Sequence, residues 1–221
     1  MDIERARFNM VEQQIRTWEV LDPGVLDLLY VVRREAFVPP MHRLLAFSDL
    51  EIPLTADGDP SAKMLPPKME ARILQEVAPK ATDRVLEIGA GSGYMSALLA
   101  ARAREVVAVE INPALATMAA NNLQRAGIQN VRVCQGDGAR GWTDTQAFDV
   151  IVLSGSLPVL PDTFLGALGE GGRLFAIVGE APVMSARLVT RVGPDTYNAI
   201  DLFETVIASL RNAREPNRFT F

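Results

Sequence analysis

The chain has 221 residues, of which 48% are hydrophobic, and a formal net charge of −5 at pH 7. This length is enough to bury a sizeable core, and we expect one main domain with an N-terminal extension. A mildly acidic chain without a basic run is a poor candidate for binding duplex nucleic acid or a membrane surface, because neutralising phosphates needs clustered cations.

Cysteine and histidine occur once each. Cys134 cannot form a disulfide within the chain, and its apolar surroundings favour a buried small side chain. His42 has no second metal ligand at a usual spacing and is expected in a loop, so no metal site is predicted. The charged first ten residues and the lack of an apolar run of about 20 residues predict a soluble, cytoplasmic protein.

Residues 1–60 are predicted to form helices and loops. Asp22 is placed as the N-cap of a helix whose first residue is Pro23, a typical helix start. Several prolines punctuate the segment that follows, which we expect to be irregular. A short helix that ends before Pro79 is predicted next. It is marked by the apolar residues Met69, Ile73, Leu74 and Val77.

From residue 84 the sequence alternates short apolar strands with helical segments. The predicted strands are 84–88, 105–110, 131–135, 148–153, 173–178, 187–192 and 199–207. Helices are predicted in the gaps, and the one at 113–126 has Asn112 as its cap and Gly127 after its end. This alternation is typical of a doubly wound α/β fold with a mostly parallel, seven-stranded sheet. Because no helix separates the last two strands, an antiparallel edge is expected there.

The first of these strands runs into a glycine-rich turn with the sequence EIGAGSGY. Gly89, Gly91 and Gly93 have the spacing G-x-G-x-G, which differs from the G-x-G-x-x-G of dinucleotide-binding enzymes. Such a turn lets the backbone approach a ligand at the start of the following helix. Glu87 lies two residues before the first glycine, where its carboxylate would repel a pyrophosphate and attract an ammonium group.

The next two strands are also followed by acidic residues. Glu110 ends the second strand, where an acid is well placed to accept hydrogen bonds from both hydroxyls of a ribose. Asp137 follows the third strand between two glycines and is placed to accept a hydrogen bond from an exocyclic amine. All three acids are expected at the carboxyl edge of the sheet. A ribose-binding acid, an amine-binding acid and no phosphate cradle together predict S-adenosylmethionine, and not NAD, as the ligand.

The chain resembles the protein-L-isoaspartate O-methyltransferase family over nearly its whole length. The matching segments are RREAFVPP (33–40), VLEIGAGSGYMSALLA (85–100), GDGARGW (136–142), AFDVIVLSG (147–155) and LGALGEGGRLFAIVG (165–179). The resemblance implies a Rossmann-like class I methyltransferase that repairs damaged proteins, using S-adenosylmethionine to methylate the carboxylate of isoaspartyl residues. The expected cofactor-binding residues are Glu87, Gly89, Gly91, Gly93, Tyr94, Glu110, Ile111, Asp137 and Gly138. We expect an N-terminal helical and substrate-loop extension, residues 1–80, packed on a methyltransferase domain, residues 81–221.

The resemblance is weakest in the predicted substrate loop, Met64, Leu65 and Pro66. The family carries a Thr-Ile-Ser-x-Pro-type motif there, and Leu65 stands at the position of its serine, its best-known active-site residue. Leucine cannot donate a hydrogen bond and would make this wall of the pocket apolar, so no catalytic residue is assigned. Two further departures are VIASL at 206–210 and Ile177, where the family usually has a Val-Pro-Leu segment and a proline.

Three functions therefore stay open on the sequence. The first is methyl transfer to isoaspartyl residues of proteins or peptides. The second is methyl transfer to a different acceptor, such as a small molecule with an apolar portion, which Leu65 would suit. The third is a non-catalytic cofactor-binding or protein-interaction module, against which the intact acids and glycines argue.

Overall fold

The computed structural model of the chain describes residues 2–216. Its N-terminal part is helical, as predicted, with α1 at Ile3–Asn9 and α2 at Pro23–Val31, joined by a π-helical turn at Met10–Ile15 and a 3₁₀ turn at Arg16–Trp18. Asp22 caps α2, since its Oδ1 atom accepts a hydrogen bond from the backbone N of Val25 at 2.9 Å. The predicted start of this helix is confirmed.

A small hairpin and a third helix lead from the N-terminal part to the sheet. The hairpin pairs β1 (Ile52–Pro53) with β2 (Lys63–Met64) in antiparallel register, and α3 spans Pro67–Val77. The four apolar residues that predicted α3 are all buried. Pro66 is the N-cap of α3 and has an extended conformation, with ψ at 146°, as expected for a residue before a proline.

The core is a seven-stranded sheet. In chain order its strands are β3 (Arg84–Ile88), β4 (Glu105–Glu110), β5 (Val131–Gln135), β6 (Phe148–Leu157), β7 (Leu168–Glu180), β8 (Val183–Gly193) and β9 (Thr196–Thr205). The helices of this part are α4 (Tyr94–Ala100), α5 (Pro113–Arg125) and α6 (Asp162–Ala167). The spatial order is β5-β4-β3-β6-β7-β8-β9. The first five strands in that order pair in parallel, and β8 is antiparallel to both of its neighbours, β7 and β9. The predicted fold class is therefore confirmed.

Several details of the sheet differ from the sequence prediction. Strands β6, β7 and β8 are longer than predicted, and a turn, not a helix, joins β7 to β8. Residues 136–147 between β5 and β6 form a loop where a helix was expected, held by hydrogen bonds to Asp144 Oδ2 from Arg84 Nη2 at 2.8 Å and Arg132 Nη2 at 2.7 Å. Strand β9 ends at Thr205 and not at residue 207, because the chain then turns to pair with the end of β6.

The order of the strands reverses between β3 and β6. From β3 the chain proceeds outward through β4 and β5, and it then returns to place β6 on the other side of β3. Parallel α/β sheets bind ligands at such a switch point, beyond the carboxyl ends of the strands. Both the glycine turn after β3 and the end of β6 lie there.

The N-terminal part packs directly on the sheet. Apolar side chains such as Ile15, Leu29 and Ile73 belong to the same buried cluster as Leu99 of α4 and Phe175 of β7. A second buried cluster lies among the strands and α6. The division of the chain near residue 80 stays a prediction, and residues 1 and 217–221 of the two predicted parts lie outside the described residues. Within residues 2–216, none of the helices combines the length and apolar character that crossing a membrane requires.

Candidate functional site

The glycine turn connects β3 to α4 through a left-handed backbone. Gly89, Gly91 and Gly93 have φ angles of +91°, +52° and +83°, which other residues rarely adopt. A Cβ atom on Gly91 would lie 3.2 Å from Leu54 Cδ1, and one on Gly93 would lie 3.2 Å from the backbone of Ala119 in α5. Gly91 therefore faces the β1–β2 hairpin, whereas Gly93 lets α4 and α5 pack closely.

A cavity opens at the switch point between β3 and β6. Its walls are formed by the glycine turn, the ends of β4 and β5, the segment 51–65 and the segment 208–211. The predicted cofactor residues that line it are Gly89, Gly91, Glu110, Ile111, Asp137 and Gly138. A smaller neighbouring cavity is lined by Glu87 and the predicted loop residues Met64 and Leu65. The structure thus brings the predicted acids and the predicted loop together.

Glu110 is fixed at the end of β4 by two backbone groups. Its Oε2 atom accepts a hydrogen bond from Gly91 N at 2.9 Å, and its Oε1 atom accepts one from Asn112 N at 2.9 Å. The side chain is buried, yet it lines the cavity. Each carboxylate oxygen has a second lone pair, so the fixed group can still accept hydrogen bonds from a pair of ligand hydroxyls.

Asp137 presents its carboxylate at another part of the same cavity. Its Oδ1 atom accepts a hydrogen bond from Ala139 N at 3.1 Å, and its Oδ2 atom accepts one from the Asn212 amide at 2.9 Å. Next to it, a Cβ atom on Gly138 would lie 2.7 Å from Ile88 Cδ1. Gly138 and Ile88 both line the cavity beside this acceptor for an amino group, an arrangement that suits an aromatic ring bearing an exocyclic amine.

Glu87 is completely buried at the base of the smaller cavity. The hydroxyls of Ser96 and Ser154 donate to its two carboxyl oxygens, the latter at 3.1 Å. Burial raises the pKa of Glu87 to about 8, because desolvation penalises the charged form. A cationic group placed against this carboxyl would favour the ionised form again, which is compatible with binding an ammonium group.

Gly93 and Tyr94 are the exceptions among the predicted cofactor residues, since neither lines the two cavities, and the side chain of Tyr94 has a packing role. Its side chain is buried against the N-terminal part, with its hydroxyl 3.4 Å from Val32 O and its ring 5.4 Å from that of Phe37, centroid to centroid. The Arg34 guanidinium lies 5.2 Å from the centre of the same ring. The side chain therefore belongs to the contact between α4 and the N-terminal part, because it points away from the cavities that the turn lines.

The predicted substrate loop is held by residues that the sequence prediction missed. Leu65 is buried and lines both cavities, while its carbonyl oxygen accepts a hydrogen bond from Arg34 Nη2 at 2.6 Å. Arg34 also forms a buried ion pair with Glu70 of α3. Burial lowers the pKa of Arg34 to about 10. In the RREAFVPP segment Arg34 stands between Arg33 and Glu35, so its immediate neighbours gave no sign of this buried pair.

The C-terminal segment forms another wall of the larger cavity. Ser156 N donates to Ala208 O at 3.0 Å and Leu210 N donates to Ser156 O at 2.9 Å, so residues 208–210 lie alongside the end of β6. A Cβ atom on Gly155 would lie 2.7 Å from Leu210 Cδ2, and one on Gly89 would lie 3.3 Å from the same atom. The VIASL segment, where the sequence departs from the family pattern, therefore forms part of a wall of the site.

Arg211 joins this wall to the hairpin across the mouth of the cavity. Its guanidinium forms an ion pair with Asp59, and its Nε atom donates to Ser61 Oγ at 3.1 Å. Both partners stand in the connection between β1 and β2. The two walls of the cavity are thus linked by a side chain that the sequence prediction did not single out.

The single cysteine and the single histidine lie elsewhere. Cys134 is half-buried and not buried as predicted, because β5 is an edge strand, and Arg132 Nη1 lies 3.0 Å from its sulfur. His42 is half-buried in a 3₁₀ turn at Pro40–Phe47. Neither residue lines the two cavities described above.

Comparison with known families gives one consistent match. The model of the family described as protein-L-isoaspartate(D-aspartate) O-methyltransferase matches residues 5–206. A protein-L-isoaspartate O-methyltransferase of Methanospirillum hungatei is 37% identical over 192 residues, covering 87% of each chain. Protein-L-isoaspartate O-methyltransferase 1 of Rhodopseudomonas palustris (strain HaA2) is 42% identical over 191 residues, covering 86% of this chain and 76% of that one.

Solved structures agree on the fold. A Plasmodium falciparum structure described as a protein-L-isoaspartate O-methyltransferase in complex with S-adenosyl-L-homocysteine superposes with a TM-score of 0.78 at 19% identity, covering 92% of this chain and 97% of that chain. A second structure with the same enzyme name gives a TM-score of 0.77 at 24% identity, covering 94% of this chain and 65% of that chain. The arrangement of strands and helices is therefore shared over nearly the whole chain.

Proposed function

The chain belongs to the protein-L-isoaspartate O-methyltransferase family, and we propose that it transfers a methyl group from S-adenosylmethionine to the carboxylate of isoaspartyl residues in proteins. Relatives at 37% and 42% identity carry this enzyme name. The fold neighbour from Plasmodium falciparum holds S-adenosyl-L-homocysteine, the demethylated form of that cofactor.

One observation carries the proposal at the level of residues. The glycine turn, Glu110 and Asp137 line a single cavity at the switch point of the sheet, with Glu87 in the cavity beside it. These groups fit the cofactor: Glu110 would accept from the ribose hydroxyls, Asp137 from the exocyclic amine and Glu87 would face the ammonium group. Gly91 lines the larger cavity beside Leu54, and its lack of a side chain would allow close approach of the ligand.

Methyl transfer to a carboxylate requires little from the protein besides positioning the two reactants. The cofactor supplies a methyl group on a positively charged sulfur, and its transfer to a carboxylate oxygen yields a methyl ester and a neutral thioether with no proton to move. An α-carboxyl group, with a pKa of about 3.3–3.7, is already ionised near neutral pH. The protein must therefore bind and orient this carboxylate, a contribution that can reach several kcal/mol of the barrier.

A direct assay tests the proposal. Purified protein is given tritium-labelled S-adenosylmethionine and an isoaspartyl peptide, with the aspartyl isomer of the same peptide as the matched control. We expect label in the isoaspartyl peptide alone. Label in both peptides, or in neither while the cofactor binds, would contradict the proposed acceptor.

A second acceptor class is favoured by one specific observation. Leu65 is buried at both cavities and makes that wall apolar, which suits a small carboxylic acid with an apolar portion. Screening such acids as competitors of the isoaspartyl peptide distinguishes the two classes.

We also propose a cytoplasmic location, which is supported by the presence of one cysteine in 221 residues, as expected in a reducing compartment.

A further inference from the structure

Within residues 2–216, three serines line the larger cavity: Ser61, Ser154 and Ser209. They differ in the acceptor to which each hydroxyl donates its hydrogen bond. Ser61 Oγ donates to Asp59 Oδ1 at 2.7 Å. Ser154 Oγ donates to Glu87 Oε1 at 3.1 Å. Both hydroxyls are thus bonded to the side chains of acidic residues.

The proton of Ser209 has a weaker partner. Its Oγ atom lies 3.1 Å from Ser156 Oγ, and Ser156 Oγ donates its own proton to Ile207 O at 3.1 Å. A hydroxyl has one proton to donate, so the bond between the two serines uses the proton of Ser209. Exchanging this neutral acceptor for a carboxylate would roughly double the strength of the bond.

The position of Ser209 is fixed while its side chain stays accessible. Ser209 is exposed, whereas Ser156 is completely buried, and the backbone bonds of Ala208 and Leu210 to Ser156 hold the residue on both sides. Leu65 lines the same cavity, and its side chain has no donor while its carbonyl is bonded to Arg34. Among the cavity serines within residues 2–216, only Ser209 is bonded to no acidic side chain, so its hydroxyl can donate to a ligand carboxylate without displacing Asp59 or Glu87.

We propose that Ser209 binds the carboxylate of the methyl acceptor through its hydroxyl, in the cavity that Leu65 also lines. This inference rests on the proposed function, because it names the group that recognises the acceptor of that reaction. In this proposal Ser209 contacts the acceptor, whereas other walls of the cavity bind the cofactor. Its loss should therefore affect the acceptor and not the cofactor.

The test compares Ser209→Ala with Ser209→Thr, which keeps the hydroxyl, and with Ser185→Ala, which removes a hydroxyl on β8 outside both cavities. Binding of a fluorescent isoaspartyl peptide and of its methyl ester is measured by anisotropy in the presence of S-adenosylhomocysteine. We expect Ser209→Ala to weaken binding of the acid about tenfold and of the ester little, and to lower kcat/KM about 10–100-fold. Threonine should restore both values.

Calorimetric titration with S-adenosylmethionine shows whether the cofactor wall is intact in each variant. Unchanged affinity of Ser209→Ala for the acid, or equal losses for acid, ester and cofactor, would overturn the role of Ser209. A wild-type protein that binds and methylates the isoaspartyl peptide no better than its aspartyl isomer would overturn the proposed function and this inference together. A wild type that discriminates, with an alanine variant that does so equally well, would overturn the inference alone.

Discussion

The carboxylate of Glu110 holds the backbone of Gly91, with 2.9 Å between Oε2 and the amide nitrogen. One residue ends β4 and the other stands in the turn after β3, so the bond ties together two neighbouring parts of the cavity wall. The same carboxylate is the proposed partner of the cofactor's ribose. Binding chemistry and the shape of the turn therefore depend on one side chain.

Replacing Glu110 by alanine is expected to weaken S-adenosylmethionine binding by roughly 1–3 kcal/mol, the usual loss for a hydrogen bond to a charged group. Glu105→Ala is the matched control, because Glu105 begins the same strand and pairs with Arg84 at the far end from the cavity. Calorimetric titration measures both. Equal affinities of the Glu110 variant and the wild type would place the ribose elsewhere.

Gly91→Val is expected to abolish cofactor binding without unfolding the protein. The φ angle of +52° disfavours a β-branched residue, and the new Cβ atom would crowd Leu54 at the cavity. Gly127→Val controls for backbone strain, since Gly127 has a φ angle of +73° and open space around it. Circular dichroism reports folding and titration reports binding. Retained binding in the Gly91 variant would show that the turn does not face the ligand.

The strands and the glycine turn could be predicted because their signals are local. Strands β3, β4 and β5 begin and end where the apolar runs do, and the acids stand at their ends. Asn112 and Gly127 bracket α5 for similarly local reasons: the asparagine side chain accepts from Ala114 N at 2.9 Å, and the glycine is left-handed. Such features depend on neighbours within a few residues.

The other wall of the site depends on contacts between distant parts of the chain. Arg34 reaches the carbonyl of Leu65 across 31 positions, and Ser156 pairs with the backbone around Ser209 across more than 50. No periodicity in the sequence reports such pairings. Tyr94 shows the reverse case, because its place beside the glycine turn suggested a ligand contact while its packing partners lie about 60 residues earlier.

The buried pair of Arg34 and Glu70 should matter for stability as well as for the loop. Arg34→Met leaves the Glu70 carboxylate buried without its partner, which is expected to destabilise the protein by about 3–5 kcal/mol. Replacing both residues by methionine should recover much of this loss. Arg16→Met, which removes an exposed pair with Glu12, is the control and should change stability little. Urea unfolding measures all four proteins, and a double variant no more stable than the single one would contradict the account.

Glu87 should make the stability of the ligand-free protein fall as the pH rises. Its pKa is about 8 in the fold against an ordinary value of 4.5, so between these values the folded protein retains a proton that the unfolded chain has lost. Unfolding then releases a proton, and stability decreases by up to roughly 1.4 kcal/mol per pH unit. Glu87→Gln, which resembles the neutral form, should lack this contribution. Urea unfolding from pH 5 to pH 9 measures the difference, and parallel profiles would contradict the raised pKa.

Binding of the cofactor should release the proton of the Glu87 carboxyl group. At pH 7 a carboxyl with a pKa of about 8 is roughly nine-tenths protonated, and an ammonium group against it favours the ionised form. Binding is therefore expected to release close to one proton at pH 7 and few above pH 9. Calorimetry in two buffers of different ionisation enthalpy measures this release, with Glu87→Gln as the control that should release none from this site. Heats at pH 7 that do not depend on the buffer would show that Glu87 is not the partner of the ammonium group.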